Sequence, residues 1–240
     1  MEASEVAGRP RRGAVVSWSG GKDSALALAK AAASGVRVIG LVNVVTSATA
    51  RVAFQGVPPG LVALQARALG LPLFVAEYDS TDDPERCRVQ SESFLRRLAE
   101  EEGADGLVSG YIGKADRQGA QIGGLCRRLG LTLHAPLAGR PTAEVIDEFL
   151  ASGFKAVVVK VDADRVDARW LGKPIDRRFV AALRRGGADP CGDRGEYHSL
   201  VVDGPGFRRP VEFEAAGTRT EGPDRLLDIR AWRLGRRRVR

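Results

Sequence analysis

The stretch Ser19-Gly20-Gly21-Lys22-Asp23-Ser24 gathers two hydroxyls, two glycines, an ammonium and a carboxylate within six residues. The apolar run Ala14–Trp18 precedes it and an alanine-rich helical pattern over 24–34 follows, so it reads as a strand-to-helix turn. Gly20 and Gly21 carry no Cβ, which lets the backbone turn tightly and approach a ligand. Their N–H groups, with those of the first helical turn, point at one place, and the helix dipole favours an anion there. Lys22 adds a full positive charge, and Ser17, Ser19 and Ser24 add hydroxyls; Ser24 is also a candidate helix cap. Asp23 would repel a bare phosphate. It makes sense where a divalent cation, Mg²⁺, bridges the two. The spacing is not that of a Walker loop, and no Gly-x-Gly-x-x-Gly occurs. The plainer alternative is a glycine turn with a surface lysine; this residue set at one junction favours the phosphate site.

The elements around the loop alternate. Strands are expected over 14–18, 36–46, 71–78, 105–112 and 131–135, and helices over 24–34, 60–69, 82–102 and 116–129. In the 82–102 helix, Cys87, Ser91, Phe94, Leu95 and Leu98 form one stripe to be buried. Strands separated by helices need crossover connections, hence an α/β fold with a parallel sheet and helices on both faces. Such sheets bind ligands beyond the C-terminal strand ends, where strand order reverses. The turn at 17–24, Asn43 and Gly110 stand at such ends. After Pro136 the character changes. A helix at 142–150, a strand at 154–161, a helix at 175–183 and β segments at 197–202, 211–213 and 226–232 imply a smaller C-terminal α+β domain. The expected division is a nucleotide-binding domain over 1–135 and a substrate domain over 136–240.

Composition narrows the class. The chain has 240 residues, 44% hydrophobic and 28% charged, which excludes a disordered chain and a disulfide-built miniprotein. No apolar run approaches the roughly 20 residues that span a bilayer, and no apolar run follows the N-terminal charges as in a secretory signal. Cys87, Cys126 and Cys191 form no CxxC pair, so a reduced, cytoplasmic setting is expected. Net charge is +7, and part of the excess sits in Arg9, Arg11, Arg12 and the tail from Arg233 to Arg240. No aromatic residues interleave with those terminal arginines, so a solvated surface is expected there and nucleic acid is not favoured.

A second constellation lies at Cys191-Gly192-Asp193-Arg194-Gly195-Glu196-Tyr197-His198-Ser199. Glu196 and His198 alternate before a strand, which would put both on one face. Fronting the loop, they would bind ammonium or an acceptor and move protons; the plainer alternative is a polar surface turn. Cys191 reads as a packing residue, like Cys87 and Cys126.

The segment Ser19–Ser24 resembles the PP-loop of the ATP pyrophosphatase superfamily. Further blocks resemble the diphthine–ammonia ligase family in order along the chain. These are Leu64–Leu73 (LQARALGLPL), Leu129–Leu131 with Ala135–Leu137 and Gly139-Arg140, Gly153–Val159 (GFKAVVV), Ala168–Gly172 and Cys191–Ser199 with Asp203-Gly204-Pro205. The resemblance implies a Rossmann-like PP-loop domain that binds ATP with Mg²⁺ on Asp23, and the superfamily receives adenine near Asn43 and Thr46. It implies adenylation of a carboxylate with loss of pyrophosphate, then amidation by ammonium to leave AMP. In the family the acceptor is diphthine on elongation factor 2. Asp193, Arg194 and Ala138 depart from the family's Glu, Asn and Trp, which bears on the acceptor rather than on ATP. Two other readings stay open: a tRNA-modifying PP-loop enzyme of thiolation or lysidine type, and a non-catalytic nucleotide-binding protein. The oligomeric state is also open, a homodimer being one option.

Overall fold

The computed structural model describes residues 12–79, 83–113 and 117–236. Arg9, Arg11, the arginines at 237, 238 and 240, and the expected helix starts at Asp82 and Asp116 lie outside the described residues. The first sheet is built on β1 (Gly13–Ser17), buried along its length except for Ser17. β1 pairs in parallel with β2 (Val38–Thr46) on one side and with the strand Ala104–Val108 on the other. A two-residue strand, β3 (Arg51–Val52), runs antiparallel to Val45 and Thr46. The sequence pattern does not announce it, because two residues carry no periodicity. β4 (Leu73–Tyr78) takes the other edge of β2, β5 is the strand Ala104–Val108, and β6 (Thr132–His134) continues beyond it. The parallel order is therefore β4-β2-β1-β5-β6, and it reverses between β1 and β5.

Alternation along β1 sorts its side chains into two cores. Val15 packs with Leu95 and Leu98 of α3 (Pro84–Glu101) and Leu125 and Cys126 of α4 (Arg117–Leu129). Ala14 and Val16 face α1 (Lys22–Ala33) and α2 (Pro59–Leu69) through Leu26, Leu61 and Val62. Local chemistry sets the helix ends. Asp83 caps α3 by accepting from the N–H groups of Glu85 and Arg86 at 3.0 Å. Pro59 opens α2, and Gly70 closes it at φ 70°. Of the expected α3 stripe only Leu95 and Leu98 are buried, whereas Cys87 is half-buried.

The second sheet is antiparallel, in the order β8-β7-β10-β9. Its strands are β7 (Lys155–Asp162), β8 (Tyr197–Asp203), β9 (Val211–Glu221) and β10 (Asp224–Leu234), with α5 (Thr142–Ala151) and α6 (Arg177–Arg185) beside them. The expected segments 211–213 and 226–232 grow into a hairpin of two 11-residue strands. Val211 is the one buried residue of β9, so the ladder to β10 holds that strand and no apolar alternation marks its length. Phe179, Tyr197, Leu200 and Val201 belong to the same core as Trp18, Leu26 and Leu61. The second sheet thus closes over the α1–α2 face of the first.

Candidate active site

Helix α1 starts at Lys22, two residues before the periodicity suggests, so Lys22 and Asp23 are its first turn. Gly21 is the N-cap, in extended conformation with no side-chain cap, and Gly20 has φ 83°. A Cβ on Gly20 would lie 2.7 Å from Gln65 Oε1, so this turn admits only glycine. Gly21, in ordinary extended backbone, is limited by space alone: its Cβ would stand 2.9 Å from Gln55 Nε2 and 3.1 Å from the Ser199 carbonyl oxygen. The two loop serines are linked: Ser19 Oγ lies 3.3 Å from Ser24 Oγ, and Ser24 Oγ donates to the Gly21 carbonyl at 3.0 Å. Ser17 stands exposed at the mouth of β1.

Lys22 is 4% exposed. Its Nζ donates to Asp23 Oδ2 at 2.9 Å and sits 5.0 Å from the centre of the Tyr197 ring. Burial is the largest single effect and works against the ammonium, but Asp23, by charge and hydrogen bond, together with Cys191 and Tyr197 outweighs it and holds the pKa well above the usual lysine value. Lys22 is therefore a fixed positive charge in a dry place. Cys191 Sγ donates to the other Asp23 oxygen, at 3.7 Å. Burial first, then Asp23 and Asp189, pushes the Cys191 thiol up to about 12 against the pull of Lys22, so it stays protonated.

The loop is gripped from behind by groups far away in sequence. Asn43 Nδ2 donates to the Trp18 carbonyl at 2.7 Å. Gln65, fully buried, accepts from Trp18 Nε1 at 2.9 Å and donates to the carbonyls of Gly20 at 2.9 Å and Val201 at 2.7 Å. Val201 N–H donates to the same Gly20 carbonyl at 2.9 Å. Ser199 Oγ accepts the Lys22 N–H at 3.0 Å. One amide that the sequence offers to an anion is thus already bonded within the protein. Gly110, just beyond β5, lies against the start of α1: a Cβ there would be 2.8 Å from the Asp23 backbone.

Glu196 and His198 stand elsewhere than Tyr197 and Ser199. Glu196, 3% exposed, accepts from the N–H groups of Asp189 at 3.2 Å and Arg194 at 3.0 Å, so it fastens the turn that carries Cys191. On β8, Tyr197 and Ser199 meet Lys22, and strand alternation turns His198 to the opposite side. There it pairs in register with Lys160, which bridges Asp224 at 2.6 Å. Burial, with Lys160 and Lys22, lowers the His198 pKa to about 4. Alternation in sequence says which residues share a face of the strand; it does not say which face meets the loop. Gln65, Ser199 and Tyr197 are the site residues that the sequence reading missed. The signal for Gln65 was a lone amide among the apolar residues of a helix, Leu61, Val62 and Leu64.

Among the described residues no cluster of three or more potential metal ligands occurs. The donor set at the loop is the single carboxylate of Asp23, one-third exposed. That set fits Mg²⁺, which uses one or two carboxylates and takes its other ligands from substrate phosphates and water.

Two family models match the chain: the diphthamide synthase N-terminal domain over residues 12–133 and the diphthamide synthase C-terminal domain over 141–231. Among curated proteins, diphthine–ammonia ligase of Bos taurus is 26% identical over 231 residues, covering 88% of this chain and 86% of that one. The Danio rerio protein of the same name is 29% identical over 232 residues, covering 88% and 90%. A solved structure, described as a predicted subunit of tRNA methyltransferase from Methanocaldococcus jannaschii, matches at 20% identity and a TM-score of 0.44, over 81% of this chain and 97% of that chain.

Proposed function

The chain belongs to the diphthamide synthase family, and from that premise we propose that it is an ATP-dependent carbon–nitrogen ligase of the diphthine–ammonia ligase type. The observation that carries this reading is the buried, charge-fixed Lys22 in the first turn of a helix behind two glycines, with Asp23 beside it. In the proposed reaction a carboxylate oxygen attacks the α-phosphorus of ATP, and the bond to the β-phosphate oxygen breaks to release pyrophosphate. Ammonia then attacks the acyl carbon, AMP leaves, and a proton is lost to give the amide. Lys22 stabilises negative charge on the departing pyrophosphate from a water-poor position. Asp23 would hold Mg²⁺, which supplies further neutralisation of that charge when bound. The helix start and Gly110 shape the floor beneath the phosphates. The acceptor is a carboxylate on a protein side chain, as in the diphthine named for the relatives.

A sulfur-carrying role in tRNA thiolation is disfavoured by the state of the cysteines. Cys126 and Cys191 are buried, only Cys87 is half-buried, and the Cys191 thiol keeps its proton and donates it in a hydrogen bond to Asp23. The test is to incubate the protein with ATP, Mg²⁺, ammonium and elongation factor 2 bearing diphthine, and to identify the nucleotide product. Equal amounts of AMP and pyrophosphate, dependent on the acceptor and absent in Asp23→Ala, are expected. ADP as the product would overturn the reading.

A further inference from the structure

The sequence RRFVAALRR makes α6 two-sided. Phe179, Val180 and Leu183 are buried, while Arg177, Arg178, Arg184 and Arg185 are exposed. Positions 177, 178, 181, 184 and 185 fall on one helical face, and Ala181 at its centre leaves a groove between the two arginine pairs. At its N-terminal end this face borders a cavity of about 920 Å³, walled also by Lys173 and Trp170 of the Ala168–Trp170 turn. A second cavity, of about 580 Å³, continues along Arg177, Ala181, Arg184 and Arg185.

Most of these cations are left uncompensated; Arg169, which also lines the first cavity, pairs with Asp167 at 3.3 Å. Among the described residues, Lys173, Arg177, Arg178 and Arg185 make no side-chain ion pair or hydrogen bond; Arg184 pairs with Asp147 at 3.3 Å. The one carboxylate lining the first cavity, Asp176, is engaged as the α6 cap on Phe179 N–H at 2.9 Å. The surface of α3 is built in the opposite way. There Arg88 and Arg96 both reach Glu92 at 3.2 Å, and Arg128 of α4 reaches it at 3.0 Å. Like charges collected around one concavity repel each other and are relieved by a bound anion.

Trp170 supplies the other half of the chemistry. Its ring is set edge-on against Phe179 at 5.1 Å with the Arg169 guanidinium 5.8 Å away, and its indole N–H has no partner among the described residues. A flat ring with guanidinium forks around it matches a base stacked on the indole and phosphates held by arginine. The basic face runs on for more than two helical turns, which is longer than one free nucleotide needs. The floor of this groove is also close to the phosphate loop: Phe179 meets Tyr197 at 4.9 Å, and Tyr197 meets Lys22 at 5.0 Å.

We propose that the α6 groove with Trp170 is a binding site for single-stranded nucleic acid, with phosphates on Lys173, Arg177, Arg178 and Arg185 and one base on the indole. This site is separate from the ligase reading and stands or falls without it. The probe is a 5′-fluorescein-labelled RNA of twelve nucleotides, followed by anisotropy with the full chain at several salt concentrations. The expected result is binding that weakens steeply with salt. In Arg177→Gln/Arg178→Gln the affinity should fall on the order of tenfold or more, and the log–log salt slope should shrink by about 0.7 for each phosphate no longer neutralised. Trp170→Ala should weaken binding on the order of tenfold with the slope kept, and Trp170→Phe, which keeps an aromatic ring against Phe179, should recover part of it. ATP binding, measured on the same variants, should not move, which separates this site from the phosphate loop. The proposal is overturned by no binding at about 50 mM salt, where non-specific phosphate binding is already strong. Binding indifferent to all three variants also overturns it, as does a poly-glutamate peptide that displaces the RNA at equal charge. That last result would assign the groove to an acidic protein surface instead.

Discussion

The loop Ser19–Ser24 and the segment Asp189–Val201 meet at the same place but are made differently. The loop is contiguous: one strand end, two glycines and one helical turn bring Lys22 and Asp23 together within a few ångströms. The second segment arrives from a different sheet, and what it offers is mostly support. Val201 N–H holds the Gly20 carbonyl, Ser199 Oγ holds the Lys22 amide, Cys191 holds Asp23, and Tyr197 lies under the Lys22 ammonium. Groups that would act on a ligand are therefore local in sequence, and groups that fix them are remote. If this division is right, substitutions in the loop should strike the rate, and substitutions in the support should strike stability first.

After Asp23→Ala, which should abolish turnover, the largest expected effect is at Lys22. Lys22→Ala should lower kcat/KM for AMP formation by about 10²-fold or more, because the charge it removes acts in a dry site on the leaving pyrophosphate. Steady-state kinetics with pyrophosphate detection measures it. A rate within a few-fold of wild type would break the comparison on its loop side.

Next comes Gln65, the most heavily used of the supporting groups. Gln65→Leu keeps the volume and deletes three hydrogen bonds, leaving the Trp18 indole N–H and the Val201 carbonyl buried without that partner. The expected cost is about 3 kcal/mol of unfolding free energy by denaturant titration, on the scale of two unsatisfied buried polar groups. An unchanged midpoint would mean that the loop is self-supporting.

Much of this was legible in the sequence. The order of strands and helices in the first sheet followed from apolar runs alternating with helical patterns, and the loop from residue types at one junction, because both depend on neighbours in sequence. The remote support was not legible for the same reason. Nothing local to Ser199 says that its hydroxyl meets an amide 177 positions earlier. Strand alternation tied Glu196 to His198, but only the packing of β8 on α1 decides that Tyr197 and Ser199 turn inward. β9 was cut short because its ladder, rather than burial, keeps it extended.

His198 gives a third, smaller test, by pH. Its folded pKa of about 4 lies below the ordinary histidine value near 6.5, so the unfolded chain binds the proton more readily. The contribution to stability is complete above about pH 6.5 and is lost as pH falls through that value towards 4. It amounts to about 2 kcal/mol between pH 7 and pH 5. Urea titrations across this range should show the loss in wild type and a flatter profile in His198→Gln. Equal slopes in the two would mean that His198 is as free in the fold as in the unfolded chain.

Ser199 should give the smallest effect and the sharpest contrast with Lys22. Its hydroxyl bonds the amide of the very residue whose ammonium is assigned to the leaving group, so the two lie on one residue and differ in kind. Ser199→Ala removes one hydrogen bond and frees the Lys22 N–H at the start of α1. The cost should be about 1 kcal/mol in unfolding free energy. The freed amide can turn to a phosphate oxygen, which offsets the looser loop, so the KM for ATP should stay within about fivefold of wild type and kcat should barely change. Thermal denaturation and steady-state kinetics on the same preparation separate the two quantities. A loss of kcat as large as that of Lys22→Ala would move Ser199 from the supporting half of the site to the reacting half, and the division between local chemistry and remote support would have to be redrawn along β8.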